Sequence, residues 1–233
     1  MKLHHFIGNF DFSSKNIVVN DHEMLHQIQD VLKLKKGERI VLCDGKGTKA
    51  TAILQDISKS GFSVDVIDVI HVEKSIREVV LYCSILKKDN FEWVTQKTTE
   101  IGVSKIVPVI SQRTIKLDVK IDRLKKIIRE AAEQSELAYV PTLEEPTSFR
   151  KALDNARSCN EVFFCDASGE SLKNAKLEQS GEVAIFIGPE GGWTEAEIEI
   201  ARKAGFKISS LGNSILRGET AAIAASFAVS SLL

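Results

Sequence analysis

Several features that are absent from the sequence exclude classes of protein. No stretch approaches the roughly 20 consecutive apolar residues of a membrane helix, and residues 1–6 lack the apolar core that a signal peptide carries. The formal net charge is −1, which excludes binding of polyanions through overall charge and leaves room only for a local basic surface. The sequence therefore predicts a soluble, cytoplasmic protein.

Metal-binding patterns are also scarce. The four cysteines are widely spaced and form no C-x-x-C pair, so we expect them to be reduced and mostly buried: Cys43, Cys83, Cys159 and Cys165. One segment, residues 22–26, does match the zinc-protease pattern H-E-x-x-H. A third ligand is missing, because the only later histidine, His71, falls in the expected interdomain linker. We expect no metal, and we assign the motif to chance or to an RNA-facing His26.

Two common nucleotide-binding loops are absent as well. No G-x-G-x-x-G follows an early strand, which argues against a Rossmann dinucleotide site. The segment Gly45-Lys46-Gly47-Thr48 resembles a phosphate-binding loop only superficially, because it lies in a predicted hairpin. Any small-molecule site must therefore be built differently.

The first part of the chain has the pattern of a small β domain. Short apolar runs alternate with glycine-containing turns, and Asp44-Gly45 between two apolar runs is a strong hairpin signal. A short helix is expected over residues 21–32, and residues 71–75 form the expected linker. We predict a small β-barrel-like domain over residues 1–71.

The remainder, residues 72–233, alternates strand and helix patterns, which is typical of a mainly parallel α/β sheet. The expected strands are 79–86, 105–110, 161–165, 183–187 and 207–211, and the expected helices are 90–101, 121–138 and 219–233. The last helix is small and apolar on every side, so we expect it to be buried beneath a pocket or at a subunit interface.

Two glycine-bearing loops near the end of the chain carry the strongest functional signal. Each follows an apolar strand and precedes a helix, which is where ligands bind in open parallel sheets. After Gly188–Gly192, Thr194 and Glu197 form a capping box that fixes the start of the next helix. Each loop alone is also compatible with a plain tight turn. The charged residues Glu190, Arg217 and Glu219 favour a site, since a tight turn requires none of them.

Four motifs in order resemble one family. They are residues 97–103 (K-x-x-E-I-G-V), 129–135 (R-E-A-A-E-Q-S), 187–192 (I-G-P-E-G-G) and 211–221 (L-G-x-x-I-L-R-x-E-T-A). The chain resembles the RsmE family of 16S ribosomal RNA uridine-N3 methyltransferases, which belongs to the SPOUT superfamily. The resemblance implies a C-terminal α/β domain with a deep trefoil knot and a PUA-like RNA-binding domain before it. It also implies S-adenosyl-L-methionine as cofactor, a homodimer, and the small ribosomal subunit as substrate.

The same resemblance assigns the cofactor pocket. Its walls would be formed by the two loops, at Gly188, Pro189, Glu190, Gly191, Gly192, Leu211, Gly212, Ile215 and Leu216. Because uridine N3 carries a proton, the site also needs a base or a cation that stabilises the uridinate oxygens. Arg217 is the candidate cation, and Glu190 or Glu219 would either take the proton or hold Arg217. A purely structural Arg217–Glu219 contact is the alternative.

RNA binding has separate support in two basic clusters. The first spans Lys33, Lys35, Lys36, Arg39, Lys46 and Lys49, and the second spans Lys116, Lys120, Arg123, Lys125, Lys126 and Arg129. The candidate RNA contacts are Lys33, Lys35, Arg39, Arg113, Arg129 and Gln134. Lys33 stands where the family often has arginine, which keeps the charge but loses bidentate phosphate geometry. Each cluster alone could also be a solvated charged surface.

Three other functions are also compatible with the sequence. Ribose 2′-O methylation would use the same fold and cofactor. A non-catalytic RNA-binding protein would bind RNA without transferring a methyl group, and a zinc hydrolase would require stoichiometric metal.

Overall fold

The structure, a computed structural model, describes residues 3–87, 89–115, 117–176, 178 and 180–231. It divides into two compact units. One comprises residues 1–74 and 132–140, and the other comprises residues 75–131 and 141–233. The segment 132–140 thus packs within the N-terminal unit although it follows most of a long helix of the other unit.

The N-terminal unit is built on a five-stranded sheet with the order β1-β3-β4-β5-β2. Only the β1–β3 pair is parallel. The strands are β1 (His4–Ile7), β2 (Asn16–Val19), β3 (Arg39–Cys43), β4 (Thr48–Ile57) and β5 (Phe62–His71). Alternate residues of β4 are buried, as expected for a sheet with one face on a core. The structure thus confirms a small β domain built on one sheet in this part of the chain.

The predicted hairpin at Asp44-Gly45 is confirmed. Strands β3 and β4 pair in antiparallel register on either side of it. The Asp44 carboxylate accepts hydrogen bonds from the backbone N–H groups of Lys46 and Thr48, at 2.7 and 2.9 Å. Gly45 and Gly47 have φ values of +69° and +108°, which side chains other than glycine rarely adopt.

The helix predicted over residues 21–32 has two parts. A short helix α1 (His22–His26) is capped by the Asp21 side chain and continues as a π-helical turn over Gln27–Val31. The H-E-x-x-H residues thus lie on a single short helical segment, where His26 Nδ1 is 2.6 Å from the Asp30 carboxylate. Among the described residues, no group of three or more histidine, cysteine, aspartate or glutamate side chains could hold a metal ion.

The second unit contains a seven-stranded sheet in which every pairing is parallel, as predicted. Its order is β12-β10-β11-β6-β7-β8, with β9 also beside β7. The strands are β6 (Arg77–Ser84), β7 (Lys105–Ile110), β8 (Thr142–Leu143), β9 (Thr147–Ser148), β10 (Glu161–Ser171), β11 (Gly181–Ile187) and β12 (Lys207–Ser210). The helices are α2 (Asn90–Ile101), α3 (Ile121–Gln134), α4 (Phe149–Ala156), α5 (Glu195–Lys203) and α6 (Gly218–Ser231), and a 3₁₀ turn covers Leu172–Asn174.

Several element bounds differ from the prediction. Helix α3 ends at Gln134 rather than at 138, because Glu136 adopts a left-handed φ of +57° and the Leu137 N–H turns back to the Ala132 carbonyl at 3.0 Å. Strand β6 lies two residues earlier than expected. Strand β10 continues to Ser171 through a bulge where Gly169 lies against the backbone of β12. The expected end of the last helix at Leu233 lies outside the described residues.

An aromatic core lies between this sheet and its helices. Tyr82 stacks on Phe186 with ring centroids 4.5 Å apart, and Phe164 contacts Trp193 at 4.6 Å. Helix α6 packs against α2, β6 and β11 and buries Ala222, Ala225 and Val229 on one side. None of the helices in the described part of the chain combines the length and apolar character needed to cross a membrane.

Candidate active site

A cavity of about 720 Å³ lies in the second unit, beyond the carboxyl ends of strands β6, β11 and β12 and against the middle of β10. Its volume is in the range of small-molecule and cofactor sites. Both predicted glycine loops line it, as does the start of helix α6. The lining residues are Lys87, Asn90, Cys165–Ala167, Ile187–Trp193, Ser209, Leu211, Gly212 and Ser214–Gly218, together with Glu219 and Ala221. The structure therefore brings together every residue that the sequence assigns to the cofactor pocket.

The first loop requires glycine for two different reasons. Gly192 has a φ of +67°, and its N–H donates to the Pro189 carbonyl at 2.8 Å, which closes a tight turn. A Cβ on Gly188 would lie 3.1 Å from the Trp193 ring, so the loop backbone passes directly over the indole. The chain thus exposes backbone rather than side chains on this wall of the cavity.

The start of helix α5 fixes the far end of this loop. The predicted capping box is present: Thr194 is the N-cap, and Glu197 accepts its backbone N–H at 2.9 Å. The Trp193 indole N–H donates to the Cys165 carbonyl at 3.1 Å, which ties the loop to strand β10.

The second loop connects β12 to α6. Gly212 has a φ of +139°, and a Cβ on Gly218 would lie 2.9 Å from the Leu86 side chain, so the helix begins in close contact with the chain that follows β6. Ile215 is 94 % exposed, which is unusual for a large apolar side chain. The cavity thus has an apolar residue at its rim that is not covered within this chain.

The three predicted charged residues differ in their surroundings. The Glu190 carboxylate accepts the Lys87 backbone N–H at 2.7 Å, and the Asn90 side-chain amide donates to Glu219 at 3.5 Å. Arg217 is exposed, and within the described residues its guanidinium makes no hydrogen bond or ion pair. The alternative of a structural Arg217–Glu219 contact is therefore not formed here.

Cys165 lines the cavity, and its thiol is held in the protonated form. Burial raises the pKa of its thiol to about 12, and the Asp166 carboxylate adds to that effect. The thiol is therefore protonated at neutral pH, and its thiolate is not accessible for covalent catalysis.

Sequence reasoning missed several lining residues, among them Lys87, Asn90 and Asp166. Lys87 and Asp166 directly follow predicted strands and Asn90 begins a predicted helix, so position after a strand or at a helix start was the available signal. None belongs to a glycine-rich pattern, which is why the motifs alone did not single them out.

The candidate RNA contacts lie in different places. Lys33, Lys35 and Arg39 are exposed in the N-terminal unit, and their side chains have no bonded partner among the described residues. Arg129 and Gln134 are on helix α3. Arg113 instead contacts the glycine loop: its Nη1 donates to the Gly191 carbonyl at 2.7 Å.

The two basic clusters are neutralised to different degrees. In the second, Arg123 forms an ion pair with Glu92 at 2.6 Å, and Lys116 lies outside the described residues. In the first, Lys49 donates to the Glu136 carbonyl, whereas Lys36 is exposed like Lys35. The first cluster therefore presents more unpaired positive charge.

Comparison with known proteins decides the family. Residues 72–230 match the RNA methyltransferase domain family, and residues 25–67 match the RNA methyltransferase PUA domain. The chain is 33% identical over 223 residues to the ribosomal RNA small subunit methyltransferase E of Bacillus subtilis, covering 89% of this chain and 87% of that protein. This chain belongs to the ribosomal RNA small subunit methyltransferase E family. The family member from Rickettsia conorii is 32% identical over 219 residues, which cover 91% of this chain and 88% of that protein.

Solved structures agree with this membership. The ribosomal RNA small subunit methyltransferase E of Neisseria gonorrhoeae, bound to S-adenosyl methionine, superposes with a TM-score of 0.90 at 31% identity. The superposition covers 99% of this chain and 98% of the Neisseria chain. A methyltransferase of Legionella pneumophila, also in complex with that cofactor, gives a TM-score of 0.90 at 26% identity, over 100% and 98% of the two chains. The protein is thus an RNA methyltransferase with a PUA domain, as the motifs predicted.

Proposed function

We propose that this protein transfers a methyl group from S-adenosyl-L-methionine to N3 of a uridine in 16S ribosomal RNA, with the small ribosomal subunit in the cytoplasm as its substrate. The observation that carries the proposal is the cavity between the two glycine loops. Both loops follow strands of a parallel sheet, and Arg217 lies at the mouth with its guanidinium unpaired.

The residues of the cavity fit this cofactor. Glycine backbone on one wall and Leu211, Gly212, Ile215 and Leu216 on the other suit a flat adenine ring that is held by apolar contact and backbone groups. Carboxylates of Glu190, Glu219 and Asp166 in the lining suit a ligand with positive charge. When bound, the cofactor supplies an electrophilic methyl group on a sulfonium sulfur.

Arg217 is the residue that we assign to acceptor activation. Loss of the N3 proton places negative charge on the uracil oxygens, and a guanidinium that is charged at every working pH stabilises that charge. Because the Arg217 side chain makes no bond among the described residues, it is available to a substrate base without first breaking an internal contact.

Glu190 and Glu219 have the supporting roles. Glu190 is held by the Lys87 N–H and Glu219 by Asn90, so each carboxylate has one fixed oxygen. The remaining oxygen of either group could accept the N3 proton directly or orient Arg217. The in-line displacement itself requires mainly that donor and acceptor be positioned.

The N-terminal domain, residues 1–71, is assigned to RNA binding, and residues 72–233 to catalysis. Exposed lysines and arginine of the first basic cluster, Lys33, Lys35 and Arg39, suit phosphate contacts. Arg129 and Gln134 are the further RNA contacts that we propose on helix α3.

A homodimer and a deep trefoil knot complete the proposal. Helices α2 and α6 pack together and leave large apolar side chains exposed, with Trp93 at 51 % and Phe227 at 61 %. Such a surface is typical of a subunit interface. The knot is proposed from family membership alone.

The experiment that tests the enzyme assignment measures two quantities. Calorimetry gives the affinity of the purified protein for S-adenosyl-L-methionine, and a labelled methyl group reports its transfer to unmodified small subunits. We expect binding and label in RNA. RNA binding without cofactor binding or label would instead support a non-catalytic RNA-binding protein, and loss of activity with a chelator would support a metal enzyme.

A further inference from the structure

A turn that follows strand β7 is attached to the glycine loop by several hydrogen bonds. From this turn, Arg113 Nη1 donates to the carbonyls of Gly191 and Trp193, at 2.7 and 3.2 Å. The Gln112 backbone N–H donates to the Glu197 carboxylate at 2.9 Å, and the Thr194 hydroxyl is 3.1 Å from the Gln112 side-chain oxygen. The turn therefore reaches both ends of the segment that joins the loop to helix α5.

The turn itself is fixed to the core of the sheet. The fully buried Ser84 hydroxyl, at the end of β6, donates to the Ser111 hydroxyl at 3.2 Å. The Ser111 backbone N–H donates to the Thr114 hydroxyl at 2.9 Å, which closes the turn around Arg113. Arg113 thus projects from a turn that is itself hydrogen-bonded to the end of β6.

Glu197 strengthens the attachment because its carboxylate is nearly buried, with 5 % of the residue exposed. It accepts the backbone N–H groups of Gln112 and Thr194, each at 2.9 Å. Hydrogen bonds to a carboxylate are stronger than those between neutral groups, and more so where water is excluded. Displacing the turn would therefore leave one oxygen of the buried carboxylate without the hydrogen-bond donor shown here.

The contacts of Arg113 commit one nitrogen of its guanidinium to the loop. Nη1 carries two hydrogens, and two carbonyl oxygens already accept them. The loop carbonyls therefore engage two of the five guanidinium N–H groups, and Nη1 is not available to a phosphate. The aliphatic part of Arg113 also lies along Gly191, where a Cβ would be 3.4 Å from the arginine Cδ. The side chain is thus packed on the loop as well as bonded to it.

We propose that Arg113 is a positioning residue for the cofactor pocket. It acts through the carbonyls of Gly191 and Trp193, and it keeps the wall formed by Gly188–Gly192 in the shape that receives the cofactor. The sequence alone pointed instead to an RNA contact at this position. The identity of the cofactor rests on the proposed function, whereas the attachment of the turn to the loop rests on the observed hydrogen bonds.

The test separates cofactor affinity from RNA affinity. Calorimetry with S-adenosyl-L-methionine and filter binding with unmodified small subunits are compared for the wild type, Arg113→Ala, Arg113→Lys and Arg150→Ala. Arg150 is an exposed arginine of the same unit that does not line the cavity, so its variant controls for lost charge. Arg113→Ala is expected to weaken cofactor binding about tenfold or more and to raise the KM for the cofactor. Its RNA affinity should stay within about twofold of that of Arg150→Ala.

Arg113→Lys and one further variant, Gln112→Ala, keep the result interpretable. Arg113→Lys should recover part of the cofactor affinity, because its ammonium can still donate to a carbonyl. Gln112→Ala removes no charge and loses only the contact with Thr194, so it should weaken cofactor binding by about threefold with RNA affinity unchanged. If Arg113→Ala does not fold, this neutral variant still tests the attachment.

Two results would overturn the proposal. One is Arg113→Ala with weaker RNA binding and unchanged cofactor binding, which would make Arg113 an RNA contact. The other is no change in either affinity. A wild-type protein that fails to bind the cofactor would contradict the proposed function instead. In that case the attachment is tested through Trp193 fluorescence in a Trp93→Phe background, since the chain has two tryptophans: Arg113→Ala should shift the emission, and an unchanged spectrum would refute the attachment.

Discussion

The backbone N–H of Lys87 donates to the carboxylate of Glu190 at 2.7 Å, which joins the chain after β6 to the glycine loop after β11. These two strands are neighbours in the sheet, paired from Arg77 with Gly181 to Cys83 with Ile187. The glutamate of the loop is therefore a structural link across the cavity mouth as well as a charge within it.

Because of this hydrogen bond, the structural role of Glu190 can be tested separately from a role in proton transfer. Glu190→Gln keeps an oxygen that can accept the Lys87 N–H, whereas Glu190→Ala removes it. We expect Glu190→Gln to weaken cofactor affinity less than Glu190→Ala, which should weaken it about tenfold, as measured by calorimetry. If Glu190 also takes the N3 proton, Glu190→Gln will lose turnover even when the cofactor is saturating.

Arg217 should affect turnover rather than binding. Arg217→Ala removes a charge that stabilises the transition state, so kcat should fall by about 100- to 1,000-fold. Cofactor affinity and melting temperature should be unchanged, because the side chain is exposed and makes no bond within the described chain. Single-turnover rates of the wild type and of Arg217→Ala, measured with saturating cofactor, give the size of this loss. Full turnover in Arg217→Ala would contradict the assigned role, and Arg150→Ala is the matched control.

The Cys165 thiol gives a prediction about pH. In the unfolded chain a cysteine ionises near its ordinary pKa of 9.0, whereas burial raises the folded pKa to about 12. A raised pKa means that the fold favours the protonated form, so its contribution to stability is complete below pH 9 and is lost as the pH rises toward 12. Urea unfolding of Cys165→Ser should show a weaker loss of stability between pH 9 and pH 10.5 than the wild type shows.

The same thiol should be dispensable for catalysis. Cys165→Ser is expected to keep kcat within a few-fold of the wild type at pH 7.5, since the thiol is protonated there and cannot act as a nucleophile. A loss of turnover greater than about 100-fold with unchanged cofactor affinity would contradict this prediction.

The first basic cluster should be visible in the salt dependence of RNA binding. Replacing Lys35 and Arg39 with alanine removes two exposed cations, so the slope of log K against log salt should become shallower by about 1.5 to 2. Arg123→Ala is the comparison, because Arg123 is already paired with Glu92 at 2.6 Å. A slope that is unchanged in the double variant would remove these residues from the RNA interface.

The parts of the fold that could be predicted have strong local signals. Helix α2 has the predicted bounds of 90–101, and a left-handed glycine, Gly102, ends it. The hairpin at Asp44-Gly45 and the capping box of Thr194 and Glu197 were equally clear, because the turn or the cap is specified by the residues themselves. In the site, the glycine loops were predicted because backbone conformation demands glycine there.

What was missed depends on contacts between distant segments. The two-residue strands β8 and β9 exist only because β7 pairs with them. Helix α4 did carry a signal, since its buried residues Phe149, Ala152, Leu153 and Ala156 have helical spacing, but it is short. Arg113 could not be placed from sequence, because its partners, the carbonyls of Gly191 and Trp193, are backbone groups more than 70 residues away.

The most direct test of the central claim is the chemical position of the transferred methyl group. Unmodified small ribosomal subunits are incubated with the protein and S-adenosyl-L-methionine, the RNA is digested, and the nucleosides are identified by mass spectrometry. The account predicts 3-methyluridine, produced by the wild type and strongly reduced in Arg217→Ala. A methyl group on a ribose 2′-oxygen, or no methylated uridine at all, would contradict it.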